Sequence, residues 1–149
     1  MRCCPTLLPV RIVGDSAGSS GYTRMAQGAS HALGVDLVEN FDRPYAARSF
    51  REFWRRWHIS LSTWFRDYVY VPLGGNRKGP VRERANIVAT LLLSGLWHGA
   101  GWTFLLWGAM HAALMVFESL SRGFWRRAPA ALTLPLVWVA VFLAWVPFR

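Results

Sequence analysis

At 149 residues the chain is long enough for one domain. Hydrophobic residues make up 53% of it, with nine tryptophans, yet the formal net charge is +9 and the mean hydropathy +0.21. A chain at once apolar and strongly basic suits membrane segments with cationic flanks. It speaks against nucleic-acid binding, because the cations bracket apolar runs instead of covering a polar surface.

Residues 1–19 carry no organised pattern and read as a disordered N-terminus. Cys3 and Cys4 are adjacent, offer only a strained disulfide and show no metal-ligand spacing. The short apolar stretch after Met1-Arg2 is broken by Pro5 and Pro9, which does not fit a signal peptide. A serine- and glycine-rich loop follows, then a predicted short helix over 22–32 with Gly34 as its stop. Residues 35–45 read as extended or turning, since Pro44 holds Arg43 out of helix geometry.

Residues 46–68 predict a strong amphipathic helix. Phe50, Phe53, Trp54, Trp57, Leu61, Trp64, Phe65 and Tyr68 fall in one stripe about 100° wide, with Arg48, Arg51, Arg55, Arg56 and Arg66 outside it. His58 lies on the stripe's shoulder. An aromatic stripe with a cationic back suits a helix at the lipid headgroup level. The basic loop Gly74-Gly75-Asn76-Arg77-Lys78-Gly79-Pro80 lacks a Walker pattern and reads as a membrane-surface connector.

Residues 85–117, 33 in all, contain no charged side chain. One span needs about 20 residues, and glycines at 95, 99 and 101 predict a break. Two helices are expected, near 85–97 and 102–121, joined by a loop at His98; the first is short enough to be tilted or re-entrant. A further uncharged run, 128–148, predicts a span near 129–147, with Pro135 kinking it or marking its start.

His98, in Ser94-Gly95-Leu96-Trp97-His98-Gly99-Ala100-Gly101-Trp102, is the oddest placement in the chain. It either packs between Trp97 and Trp102 or marks a functional site, as ionisable groups at membrane depth do. Irregular backbone at that depth must face protein or a wet cavity. A metal site lacks support, because His98 and His111 are 13 apart with no Cys or carboxylate beside them. A triad through Ser94 lacks its acid. A neutral imidazole alone can serve as general base for attack of a hydroxyl on an acyl carbonyl.

Three blocks give this region a family likeness. They are Phe53-Trp54-Arg55-Arg56-Trp57-His58-Ile59-Ser60-Leu61-Ser62-Thr63-Trp64-Phe65-Arg66-Asp67-Tyr68, then Pro72-Leu73-Gly74-Gly75-Asn76-Arg77, then Gly95-Leu96-Trp97-His98-Gly99-Ala100. Together they resemble the membrane-bound O-acyltransferase family, most of all its bacterial alginate O-acetyltransferase branch. The likeness covers about 20–149. It departs at Gly18-Ser19-Ser20-Gly21-Tyr22, where the family carries an aspartate-aromatic-serine start.

The resemblance implies an all-α, polytopic protein of the cell inner membrane, with a tunnel through the fold. It implies His98 as the catalytic histidine and His58 as a second polar residue on the donor-side path. Trp57, Ser60, Trp64, Arg66, Asp67, Asn76, Arg77, Trp97 and His111 are the accompanying candidate substrate-binding residues. It implies acetyl-CoA as acyl donor, with no bound cofactor, and an exported polysaccharide or a periplasmic acetylation protein as recipient. The family is longer, so the chain is expected to be a partial catalytic region; the alternatives are a non-catalytic membrane remnant or interaction partner, or a relative acting in peptidoglycan acetylation or teichoic-acid D-alanylation.

Overall fold

The structure is a computed structural model that describes residues 19–148, with side chains from Arg24 to Pro147. Cys3, Cys4 and the N-terminal stretch expected to be disordered lie outside the described residues, except for Ser19. The chain divides into two compact units, one ending at Leu37 and one spanning Val38–Arg149.

In the first unit the expected helix is α1, Ser19–Ala32, which begins three residues early. It ends as the glycine predicts. Gly34 takes φ 76°, and the Val35 N–H donates to the Ser30 carbonyl at 2.9 Å, a left-handed glycine cap. His31 meets Asp36 at 3.1 Å with both side chains exposed.

The second unit is helical. Its one described β feature is an isolated antiparallel bridge between Phe41 and Trp57. That bridge explains the main departure from the sequence reading: no continuous helix runs over 46–68. Instead α2, Phe50–Arg56, and α3, Ile59–Phe65, are separated by His58 in the left-handed region at φ 45°. A π-helical turn, Arg66–Tyr70, follows. Residues 40–42 hold the break open. Asp42 N–H donates to the Arg56 carbonyl at 3.0 Å, and Ile59 N–H to the Asn40 carbonyl at 2.9 Å. Ser60 N–H reaches the Asn40 side chain at 3.1 Å. Asn40 thus caps α3 from outside the helix.

The aromatic stripe divides with the helix. Phe50 and Phe53 are buried with Ala47 against Val137 and Val141, and Phe65 is also buried. Trp64 and Tyr68 stay 50% and 69% exposed, their rings 5.3 Å apart. Phe50, Phe53 and Phe65 of the expected interfacial face are therefore core, and Trp64 and Tyr68 are its open part.

Helices α4, Pro80–His98, and α5, Trp102–Leu120, form an antiparallel hairpin. Each has 19 residues, about 28 Å at 1.5 Å per residue. The first is longer than the expected 85–97. Two glycines let the pair close: a β-carbon on Gly95 would stand 2.4 Å from the Phe104 carbonyl oxygen, and one on Gly108 would stand 2.6 Å from that of Leu91. Small residues at such crossings are how membrane helices gain contact, since water drives nothing there. Among the described residues α5 is the one helix long and apolar enough to cross a membrane, with α7 a shorter apolar helix. Beyond the short α6, Arg122–Arg127, α7 covers Ala130–Trp145 with Pro135 inside it. The Trp138 indole N–H donates to the Tyr45 carbonyl at 2.7 Å, which ties α7 to the turn before α2.

The foot of the hairpin carries a charge network. Glu83, 4% exposed, accepts from Arg51 at 2.7 Å and from Arg122 at 2.6 Å. Glu118 accepts from the Arg51 backbone N–H at 3.0 Å. Burial pushes the Glu83 carboxyl up, but the two guanidinium hydrogen bonds outweigh it and hold the group below the usual carboxylate range.

Candidate functional site

His98 closes α4 at the tip of the hairpin. Gly99 follows in extended geometry, so close to the Phe104 ring that a β-carbon would stand 2.5 Å from it. The imidazole lies edge-on to Trp97 at 5.1 Å and to Trp107 at 5.3 Å. Trp102 is 86% exposed, so the expected packing between Trp97 and Trp102 gives way to packing between Trp97 and Trp107.

His58 and His98, 40 positions apart in sequence, belong to one cluster of packed rings. The left-handed conformation at His58 costs a non-glycine residue about 1–2 kcal/mol, and such conformations gather at functional sites. Its Nδ1 is buried without a hydrogen-bond partner among the described residues. Aromatic rings connect the two histidines. Phe41 lies 6.1 Å from His58 and 4.9 Å from Trp57. Trp57 meets Trp145 at 5.2 Å, and Trp145 meets Trp107 at 6.3 Å. His111 is 1% exposed and packs against Trp54 and Trp107.

A cavity of about 370 Å³ opens between the α2–α3 segment and the hairpin. Its apolar wall is formed by Ile59, Leu61, Phe65, Ile87, Leu91 and Met115. Ser62, Thr63, Thr90 and Ser94 add hydroxyls, and Arg51, Arg55 and Arg66 add guanidiniums. Ser94 stands one helical turn before His98. Neither His98 nor His58 lines the cavity; Ser94, one turn before His98, and Ile59, the residue after His58, do.

The π-helical turn places Tyr70 in the cavity wall; such turns are frequent at functional sites. Burial and the charge of Glu83 raise the Tyr70 hydroxyl above its ordinary pKa. Arg66 is engaged already, donating to both Asp67 oxygens at 2.8 and 3.2 Å. That pairing holds the Asp67 carboxyl below its ordinary range.

The remaining expected residues are more scattered. Trp57 stacks on Phe53 at 5.6 Å. Ser60 contributes its backbone N–H to the Asn40 cap. Trp97 is 60% exposed and Trp64 half exposed. Asn76 and Arg77 are exposed in the glycine loop and do not line the cavity. The loop is held by Asn86, 2% exposed, which donates to the Leu73 and Gly75 carbonyls at 3.3 and 2.9 Å.

Sequence reasoning gave no structural role to Asn40, Asn86, Trp107 or Trp145 and did not find the Glu83–Arg51–Arg122 network. One signal for the network was present. Glu83 and Glu118 bracket the uncharged run, and folding that run into a hairpin brings its two ends together.

These features define a helical, membrane-type assembly with two histidines in one aromatic cluster next to a cation-rimmed, mostly apolar cleft. The sequence profile of MBOAT, the membrane-bound O-acyltransferase family, matches residues 19–147. The chain belongs to that family. It is similar to the probable alginate O-acetylase AlgI of Azotobacter vinelandii, 49% identical over 134 residues, which are 87% of this chain and 26% of that protein. The peptidoglycan O-acetyltransferase of Helicobacter pylori is 42% identical over 135 residues, 87% of this chain and 25% of its own length. The teichoic acid D-alanyltransferase of Bacillus subtilis is 40% identical over 103 residues, 64% and 26% of the two chains. The chain thus spans about a quarter of the length of these curated relatives.

Proposed function

We propose that the protein is an O-acetyltransferase of the cell inner membrane, acting on hydroxyls of an exported polysaccharide such as alginate or on a periplasmic relay partner. The observation that carries this reading is the placement of His98, packed between Trp97 and Trp107 and one helical turn from Ser94 in the cleft wall. The high identity to alginate O-acetylases supports the acceptor class.

In this reading α4, α5 and α7 are the membrane helices. Arg77, Lys78, Arg82 and Arg84 precede the apolar part of α4, and Arg122, Arg126 and Arg127 follow α5. By the positive-inside rule both feet of the hairpin are cytoplasmic and the His98 tip lies deeper, towards the periplasm. The cleft admits acetyl-CoA from the cytoplasm, with guanidiniums such as Arg55 meeting its phosphates. His98 takes the proton of the acceptor hydroxyl as its oxygen attacks the thioester carbonyl. The carbon–sulfur bond then breaks, and the imidazolium returns the proton to the thiolate. His58 adjoins the donor path through its neighbour Ile59, which lines the cleft.

The test is acetylation of the polysaccharide by membranes containing His98→Ala in the polypeptide that carries this chain. Transfer is expected to fall about 10²–10⁴-fold, the usual contribution of a general base, with insertion unchanged. Acetylation at the wild-type rate would refute the role. Peptidoglycan and teichoic acid, assayed in parallel, decide the acceptor.

A further inference from the structure

Nothing in the reaction just described uses His111, yet it is among the most completely buried large side chains described. Its ring lies 4.8 Å from Trp107 at 61° and 5.1 Å from Trp54 at 77°, in T-shaped contact with both. Its Nε2 is buried with no hydrogen-bond partner among the described residues. Burying an unpaired ring nitrogen has a desolvation cost that a phenyl ring would avoid. Filling space therefore does not account for an imidazole here. What an imidazole offers beyond a phenyl ring is a strongly polarised edge, and such edges are attracted to the faces of neighbouring rings.

Trp107 stands one turn before His111 on α5 and is 2% exposed. It lies edge-on to His98 at 5.3 Å and 84°, and also touches Trp54 and Trp145. The order across the core is His111, Trp107, His98.

We propose that His111 is a positioning residue: its imidazole holds the Trp107 indole, and the indole holds the His98 ring in the orientation that meets the acceptor hydroxyl. The proposal rests on the reading of His98 as general base. A base displaced by about 1 Å loses about 10²-fold in rate, so a loosened indole reaches the chemistry without touching substrate.

The test uses the membrane-inserted polypeptide that carries this chain, with acetyl-CoA as donor and rates normalised to inserted protein. His111→Phe keeps the ring and removes both nitrogens. It is expected to lower kcat about tenfold while the KM for acetyl-CoA stays within about twofold. His111→Asn, which retains an N–H, is the second variant and is expected to lose kcat in the same selective way. If His111 acts through Trp107, His111→Phe has no further effect on kcat in a Trp107→Ala background. Wild-type kcat in both His111 variants, or effects that add to Trp107→Ala, would overturn the positioning role. An active His98→Ala would instead overturn the reading beneath it, so the two failures are told apart.

Discussion

Gly95 on α4 and Phe104 on α5 meet backbone to backbone: a β-carbon on Gly95 would stand 2.4 Å from the Phe104 carbonyl oxygen. The obstacle is main chain and cannot swing aside. Gly95→Ala must therefore push the hairpin apart at the level of His98, and the overpacking cost is about 1–3 kcal/mol. Gly101→Ala is the control, because its nearest neighbours would lie at 3.6 Å, an ordinary contact. Thermal unfolding in detergent should show a clear loss of stability for the first variant and little change for the second. Equal behaviour would mean that the helices do not cross so closely.

Asn40 supplies both acceptors for the start of α3. Asn40→Ala removes the side-chain one and should cost about 1 kcal/mol, as a lost N-cap does. Asn40→Asp keeps the acceptor and should retain most of that stability. Hydrogen exchange at Ser60 is the local readout: faster exchange in Asn40→Ala alone supports the cap, and unchanged exchange argues against it.

Glu83 links pH to the integrity of the hairpin foot. Its folded pKa lies below the unfolded one, so its stabilisation is complete above the ordinary carboxylate pKa and is lost as pH falls through the lower, folded value. Glu83→Gln leaves Arg51 and Arg122 without their shared anion. Both guanidiniums are partly exposed, which limits the loss to about 1–3 kcal/mol. The stability gap between wild type and Glu83→Gln should be largest near neutral pH and close on acidification. A gap independent of pH would contradict the assignment.

Much of the architecture is visible in composition and spacing. The uncharged run with its glycine break fixes the hairpin and puts His98 at its tip, because a bare apolar run of that length has to fold back on itself. The hidden part is non-local. The 3.6-residue period over 46–68 is real, but it cannot reveal that Asn40 and Asp42 intervene at Trp57-His58 and turn His58 left-handed. Nor can it reveal that Phe50 and Phe53 face α7 while Trp64 and Tyr68 stay open. The histidine motifs were legible by family likeness. Their companions Trp107 and Trp145 were not, since nothing local separates a tryptophan that orients a histidine from one that faces lipid.

The cleft predicts a separable donor defect. Arg55 lines it and is exposed, with no carboxylate partner among the described residues such as Arg66 has in Asp67. Arg55→Ala should raise the KM for acetyl-CoA about tenfold with kcat nearly unchanged, because it removes binding common to ground and transition states. Steady-state kinetics in vesicles checks this. A fall in kcat at constant KM would place Arg55 elsewhere in the reaction.

Chemical rescue tests the central claim most directly. His98→Gly in the membrane-inserted polypeptide removes the imidazole and leaves a space beside Trp97 and Trp107. Acetyl transfer should then be lost and return in proportion to added free imidazole, whereas His58→Gly should gain no comparable rescue. Transfer by His98→Gly at the wild-type rate, with no response to imidazole, would contradict the account.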